Sequence, residues 1–139
     1  MKHLQTFAQL NESHNVKTLS DVEKLKQLLG LLNNSFEESK NFAKRGVVNP
    51  QKEFEGFFNA LKRTRQALMD FKLENFSPHF IQLVGAVNAI INVRDMREAA
   101  EIRNKIHKLF SLIQQDFDGL ISKIHREIKT YVNKEGEES

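Results

Sequence analysis

The chain has no cysteine and no tryptophan, one tyrosine, two prolines and six glycines in 139 residues. Without cysteine there are no disulfides, no thiolate metal ligands and no cysteine nucleophile. That suits a reducing compartment, and the expected location is cytoplasmic. Aromatic content rests on 11 phenylalanines. Phenylalanine has no polar handle, so this set reads as core filler rather than as a sugar- or base-stacking surface. Few prolines and glycines mean few places where a helix must stop. The longest apolar run, Val84 to Ile91, contains Asn88. It is far shorter than the ~20 residues a membrane span needs. No apolar h-region of a secretory signal opens the chain. No membrane partner is expected.

What is present is ordinary for a globular domain: 40% hydrophobic and 28% charged residues. The length suits one domain with one core. The formal net charge is +3. The last six residues carry Lys134 against Glu135, Glu137 and Glu138, a net −2, so residues 1–133 carry +5. Such a surplus permits phosphate contacts without requiring them.

Caps and apolar spacing place four helices, with no internal repeat. The first begins at Ser20, where Ser20-Asp21-Val22-Glu23 reads as a capping box. Its stripe is Val22, Leu25, Leu28, Leu29, Leu32 and Phe36, and Gly46 is its stop. The second has Asn49 as cap and Pro50 at the first helical position, with Phe54, Phe57, Phe58, Leu61, Leu68 and Phe71 along one face. The third starts the same way, with Ser77 and Pro78. Its residues Phe80, Ile81, Val84, Val87, Ala89, Ile90 and Ile91 leave little polar face, so it is expected at the centre, with a partner needed for Asn88. The fourth starts at Asp95 and carries an apolar stripe from Ala99 to Val132. Unbroken, it is much longer than the others; either it breaks near Asp118-Gly119 or its end overhangs. An apolar overhang needs cover, so a homodimer is expected.

The fold class is all-α: an up-down antiparallel four-helix bundle with a long C-terminal helix. The expected organisation is an arm or cleavable leader at 1–19, the bundle at 20–133 and an acidic tail at 134–139.

The motifs of common enzyme classes are missing: no glycine-rich phosphate loop, no HExxH and no Gly-x-Ser-x-Gly elbow. Asp116-Phe117-Asp118-Gly119 matches part of a calcium loop but lacks the later ligands. His107 and His125 share a helix face, about 27 Å apart, too far to share a metal. His3 and His14 fall in the arm, and His79 reads as an exposed first-turn residue. No metal and no cofactor are expected.

Two segments stand above this background. The first is Met1-Lys2-His3-Leu4-Gln5-Thr6-Phe7-Ala8-Gln9-Leu10-Asn11-Glu12-Ser13. Leu4, Phe7 and Leu10 give it apolar spacing, in a stretch too short to be a stable helix alone. Such an arm can dock in a partner's groove. It resembles the capsid-targeting leaders of internal head proteins in T-even-type tailed phages. Those start Met-Lys and end at a Leu/Ile-x-Glu site cut by the prohead protease. Leu10-Asn11-Glu12 fits that pattern, with Ser13 as the new N-terminus. The resemblance covers these 13 residues and implies phage origin and a place in the virion.

The second is Arg103-Asn104-Lys105-Ile106-His107. At this spacing Arg103 and His107 share one helix face, flanking the core positions Ile102 and Ile106. The segment resembles the Arg-Asn-x-x-x-His signature of HEPN domains, small helical bundles that often act as dimeric, metal-independent RNases. Phe57-Phe58-Asn59-Ala60-Leu61-Lys62-Arg63 is also similar to the second helix of some members. The spacing here is shorter than the family's usual one, which turns His107 by about 100°. The resemblance implies His107 as general acid or base, Arg103 on the phosphate and Asn104 as an orienting group.

The reading favoured by the sequence is a non-enzymatic helical-bundle binding protein, phage-encoded and targeted by its arm, whose partner is a capsid or host protein. The alternatives are a HEPN-like RNase and a basic nucleic-acid-binding bundle. In the last, Lys62, Arg63 and Arg65 on the second helix join Lys123, Arg126 and Lys129 on the fourth in one stripe, provided those helices are neighbours.

Overall fold

The computed structural model describes residues 14–46 and 49–138, with side chains described through residue 130. Four helices follow one another: α1 (Leu19–Lys44), α2 (Pro50–Asp70), α3 (Pro78–Ile91) and α4 (Met96–Glu138). No strand occurs among the described residues. Each helix packs beside its predecessor, and α4 returns to pack on α1, so the order around the ring is α1, α2, α3, α4. Short turns and this closed ring make an up-down antiparallel bundle.

The start of α1 differs from the sequence expectation. Its cap is Thr18, not Ser20. The Thr18 hydroxyl accepts from the amide of Asp21, and the Asp21 carboxylate accepts from the amide of Thr18. The reciprocal pair needs a hydroxyl three residues before an acceptor, and Thr18-x-x-Asp21 meets that as well as Ser20-x-x-Glu23 does. Asp21 also takes the amide of Lys17, which decides the register. The other caps lie where the sequence puts them. Asn49 and Ser77 cap α2 and α3, each followed by proline. The Asp95 carboxylate takes the amide of Arg97. Gly46 ends α1 at φ 78°.

α2 ends without glycine. The amide of Leu73 donates to the carbonyl of Leu68 at 2.7 Å, and that of Lys72 to Met69 at 3.0 Å. This is a Schellman closure, and its left-handed position holds Lys72 at φ 57°. Leu73 and Leu68 are both buried, which supplies the apolar contact that usually accompanies the motif.

The core runs the whole length of the bundle. Near the α1–α2 turn Phe36, Phe57 and Phe110 meet with ring centres 4.4–5.3 Å apart. Further along lie Phe76 and Phe117, 4.8 Å apart and edge to face. Fully burying each such ring contributes roughly 1.5–3 kcal/mol.

α3 is not the central helix. It buries Phe80, Leu83, Ala86, Val87 and Ile90 and turns its other side outward. Ile81 is 61% exposed, and Asn88 and Ala89 are also at the surface. A ring of four leaves no central place, so an uncharged outer face sits in water here. Asn88 answers its need for a partner locally, through the side chain of Asn92.

α4 is continuous through Asp118 and Gly119 over its 43 residues, about 65 Å at 1.5 Å per residue. As far as Ile128 its stripe does not stand bare. Ile121, Ile124 and Ile128 are buried in one cluster with Val16, Val22 and Leu25. Those three isoleucines are covered within one chain. The packed body also begins earlier than residue 20, since His14 and Val16 are buried. At the other end the acidic tail continues α4 to Glu138.

Candidate functional site

Arg103 and His107 lie one turn apart on α4, as the sequence requires, but they do different things. Nε of Arg103 donates to Oε2 of Glu53 at 3.0 Å, and Nη2 to Oε1 at 2.8 Å. Glu53, in the first turn of α2, is 3% exposed, against 28% for Arg103. A carboxylate this deep persists only with a well-aligned partner. The Glu53 hydrogen bonds raise the Arg103 pKa further above its ordinary value, against the opposing effect of burial. One edge of the guanidinium fork is thus committed to the protein itself. Asn104 is exposed.

His107 stands edge-on to Phe36, with ring centres 5.0 Å apart. Its residue is exposed, yet this packing takes part of the ring out of water. Loss of hydration, then the charges of Lys40 and Arg103, push its pKa below the ordinary imidazole value. Glu53 opposes them. The ring opens on a cleft of about 250 Å³ between α1 and α4, with Phe36 and Phe110 among its lining and Lys40 beside it. Gln114 and Asn33 bridge the same two helices by a 2.7 Å hydrogen bond. A second cleft, of about 400 Å³, lies between α1 and α2 over Ser35, Ser39, Glu53 and Gly56.

The basic residues do not gather. Lys62, Arg63, Arg65, Lys123, Arg126 and Lys129 are all exposed. But α2 and α4 lie diagonally across the ring, not side by side. The condition for one stripe fails, because α1 and α3 separate the two outer faces. The Lys62 amine sits 4.7 Å from the ring centre of Phe58.

Asp116 belongs to a helix, which removes the calcium-loop reading of its segment. Its carboxylate accepts the Ser77 hydroxyl and pairs with Nδ1 of His79 at 3.0 Å. His79 is thereby half-buried and partnered, contrary to the exposed position expected for it. The network ties the cap of α3 to the middle of α4. Loss of hydration pulls the Asp116 carboxyl upward, but the hydrogen bonds from Ser77 and His79 and the charge interaction with His79 together outweigh it and hold the group below its usual range. Among the described residues no group of three metal-binding side chains occurs.

The N-terminal motif lies at the edge of the described chain. Leu10, Glu12 and Ser13 fall outside the described residues. His14 is 6% exposed, and its Nδ1 accepts the amide of Val16 at 3.1 Å. The amide of Asn15 donates to the carbonyl of Phe71 at 2.7 Å, and its side-chain amide donates to that of Asp70 at 3.0 Å. Those carbonyls end α2 and have no partner within the helix.

Sequence reasoning missed Glu53 and His14. Glu53 had a visible signal: it shares the apolar face of Phe57, Ala60, Leu61, Thr64 and Leu68, where an acid needs a partner. His14 had none, because His14-Asn15-Val16 is too short to show a period. Fold and side chains together define a closed four-helix bundle in which buried Glu53 pairs with Arg103 and buried Ser77 caps α3. No known protein family, curated protein or solved structure matches the chain.

Proposed function

We propose that this chain is a phage-encoded helical-bundle binding protein, non-enzymatic, whose first twelve residues target it to a capsid assembly and are cut off after Glu12. The observations that support this reading are the Leu10-Asn11-Glu12 site in the sequence and the anchoring of the residues that follow it. From His14 onward the chain is anchored by Asn15 on the end of α2 and by Val16 in the core. A cut between Glu12 and Ser13 spares every one of these contacts. The partner is a protein of the capsid. The separated basic faces leave no single phosphate-binding stripe, so duplex recognition is not part of the proposal. The test compares the full chain with a chain starting at Ser13 in cells producing the capsid. The shortened protein folds with an equal melting temperature and stays outside the particle. Equal packaging of both would overturn the targeting role.

One observation favours a second reading, the HEPN-like RNase. His107, whose pKa is pushed below the ordinary value by loss of hydration, opens on the α1–α4 cleft beside Lys40. A neutral imidazole is the form a general base needs. Metal-independent cleavage of RNA that disappears in His107→Ala would establish this reading; cleavage that survives the change would remove it.

A further inference from the structure

The facing sides of α1 and α2 are apolar along most of their length, but beside Phe57 the packing opens into the cleft of about 400 Å³ between them. That volume falls in the range of small-molecule sites, roughly 300–1,000 Å³. The floor is polar. Ser35, Ser39 and Glu53 line it, and each is more than nine-tenths buried. Leucine at either serine position would extend the apolar stripe of α1 into the gap. Gly56 lines the opposite wall, in the interior of α2. Glycine there is less stable than alanine. A Cβ at Gly56 would meet nothing within 4 Å, so packing does not demand glycine. Small and polar residues from two helices thus keep open a space that their apolar pattern would otherwise fill.

The hydrogen-bonding capacity of the floor is one-sided. The Ser35 hydroxyl donates to the Leu32 carbonyl at 3.0 Å, and the Ser39 hydroxyl to that of Phe36 at 2.6 Å. Their hydrogens are used, while their oxygens keep lone pairs. The Glu53 carboxylate takes one N–H of Arg103 on each oxygen and has acceptor capacity left. The floor therefore accepts and does not donate. Arg103 already neutralises Glu53, and a second cation there would be repelled by it, so neutral hydroxyls suit the floor better than an ammonium. At the mouth stand Arg45, just past the end of α1, and Lys52, in the first turn of α2. Both are exposed, and neither is paired with a carboxylate among the described residues. Two cations from the two sides of one mouth suit a phosphate, on which a guanidinium can hold two oxygens at once. Glu38 also lines the cleft. Its carboxylate accepts from hydroxyls and repels a bare anion, which favours a hydroxylated ester over free phosphate. We propose that the α1–α2 cleft binds a small phosphorylated polyol of sugar-phosphate size, with hydroxyls on the Ser35–Ser39–Glu53 floor and the phosphate at Arg45 and Lys52. The site does not depend on the capsid reading.

The test is calorimetric titration of the full chain at pH 7.5 with glucose 6-phosphate and with ribose 5-phosphate, beside glucose, ribose and inorganic phosphate as their separate parts. At least one ester binds saturably, about tenfold or more tighter than either of its parts. Gly56→Leu, shown to be folded by its helical circular dichroism, places a side chain in the cleft and weakens the ester at least about tenfold. Arg45→Gln and Lys52→Gln change exposed positions and so test the mouth without disturbing the core. Each weakens the ester several-fold and leaves the thermal melt unchanged. Ser39→Ala removes a floor acceptor, weakening the ester while leaving inorganic phosphate as it was. No saturable binding of either ester at about 10 mM would overturn the proposal. So would an ester held as tightly by folded Gly56→Leu, or by both mouth variants, as by the wild-type chain. Inorganic phosphate bound as tightly as the esters would overturn it too, leaving an adventitious anion contact only.

Discussion

At the end of the bundle where α1 turns into α2, a buried carboxylate is held by a guanidinium beside packed phenylalanines. At the opposite end the closing groups are a histidine, an asparagine and a hydroxyl, which reach over the helix termini and satisfy backbone amides and carbonyls. The first arrangement uses Glu53 and Arg103, brought together from α2 and α4. The second uses His14, Asn15 and Ser77, supported by Asp116. An arginine does not lose its proton in the physiological range, whereas an imidazole does. The Arg103–Glu53 pair therefore keeps its cation through the physiological range, whereas the bond from the Val16 amide to His14 needs a neutral ring.

The contrast can be broken most severely at the Arg103–Glu53 end. Arg103→Ala leaves the Glu53 carboxylate buried without a partner and is expected to cost about 3–5 kcal/mol in denaturant unfolding. Replacing both residues with apolar ones of similar size, Glu53→Met with Arg103→Leu, returns most of that loss, since no buried charge is then left over. A single substitution that costs under about 1 kcal/mol would mean that the pair is not the closure described.

At the opposite end Asn15→Ala deprives the Asp70 carbonyl of its side-chain donor, while the backbone amide of residue 15 keeps its bond to the Phe71 carbonyl. The expected cost is about 0.5–1.5 kcal/mol, less than at the buried pair because one bond is lost and water can reach the helix end. Thermal melts of the single variants give the ranking directly.

Acid sharpens the comparison further. His14 and His107 both have lowered pKa values in the folded chain, burial being the larger cause for each. As pH falls below the ordinary imidazole value of about 6.5, the unfolded chain takes up protons first. Stability is therefore lost from about pH 6.5 downward, and this loss levels off below the folded pKa values. Asp21 and Asp116 are lowered too, so a second loss begins below the ordinary carboxylate range of about pH 4. Urea titrations between pH 8 and pH 3 should show both steps, and His14→Gln should shrink the first.

The smallest expected effect is a gain. Lys72 occupies a left-handed backbone position that costs a side-chain-bearing residue about 1 kcal/mol. Lys72→Gly should stabilise the chain by roughly that amount, measured as a rise in melting temperature.

Helix number, order and most termini could be read in advance, because Asn49-Pro50, Ser77-Pro78 and Gly46 each act through local backbone chemistry. The burial of Phe54, Phe57, Leu61 and Leu68 followed from period alone. What escaped was set by neighbours distant in sequence. Glu53 and Arg103 are 50 positions apart, Asp116 and Ser77 39 apart. The surface position of α3 follows from ring order, on which an uncharged helix of 14 residues is silent. The diagonal placement of α2 and α4, which separates Lys62 from Lys123, is likewise a property of the ring. His14 and Asn15 entered the structure through hydrogen bonds to α2 that leave no periodic trace.

The central claim is that a targeting segment ends at Glu12 and a self-sufficient body follows. Its most direct test is the intact mass of the protein recovered from its native source. The account predicts a mass corresponding to residues Ser13 to Ser139; a full-length mass in mature particles would contradict it.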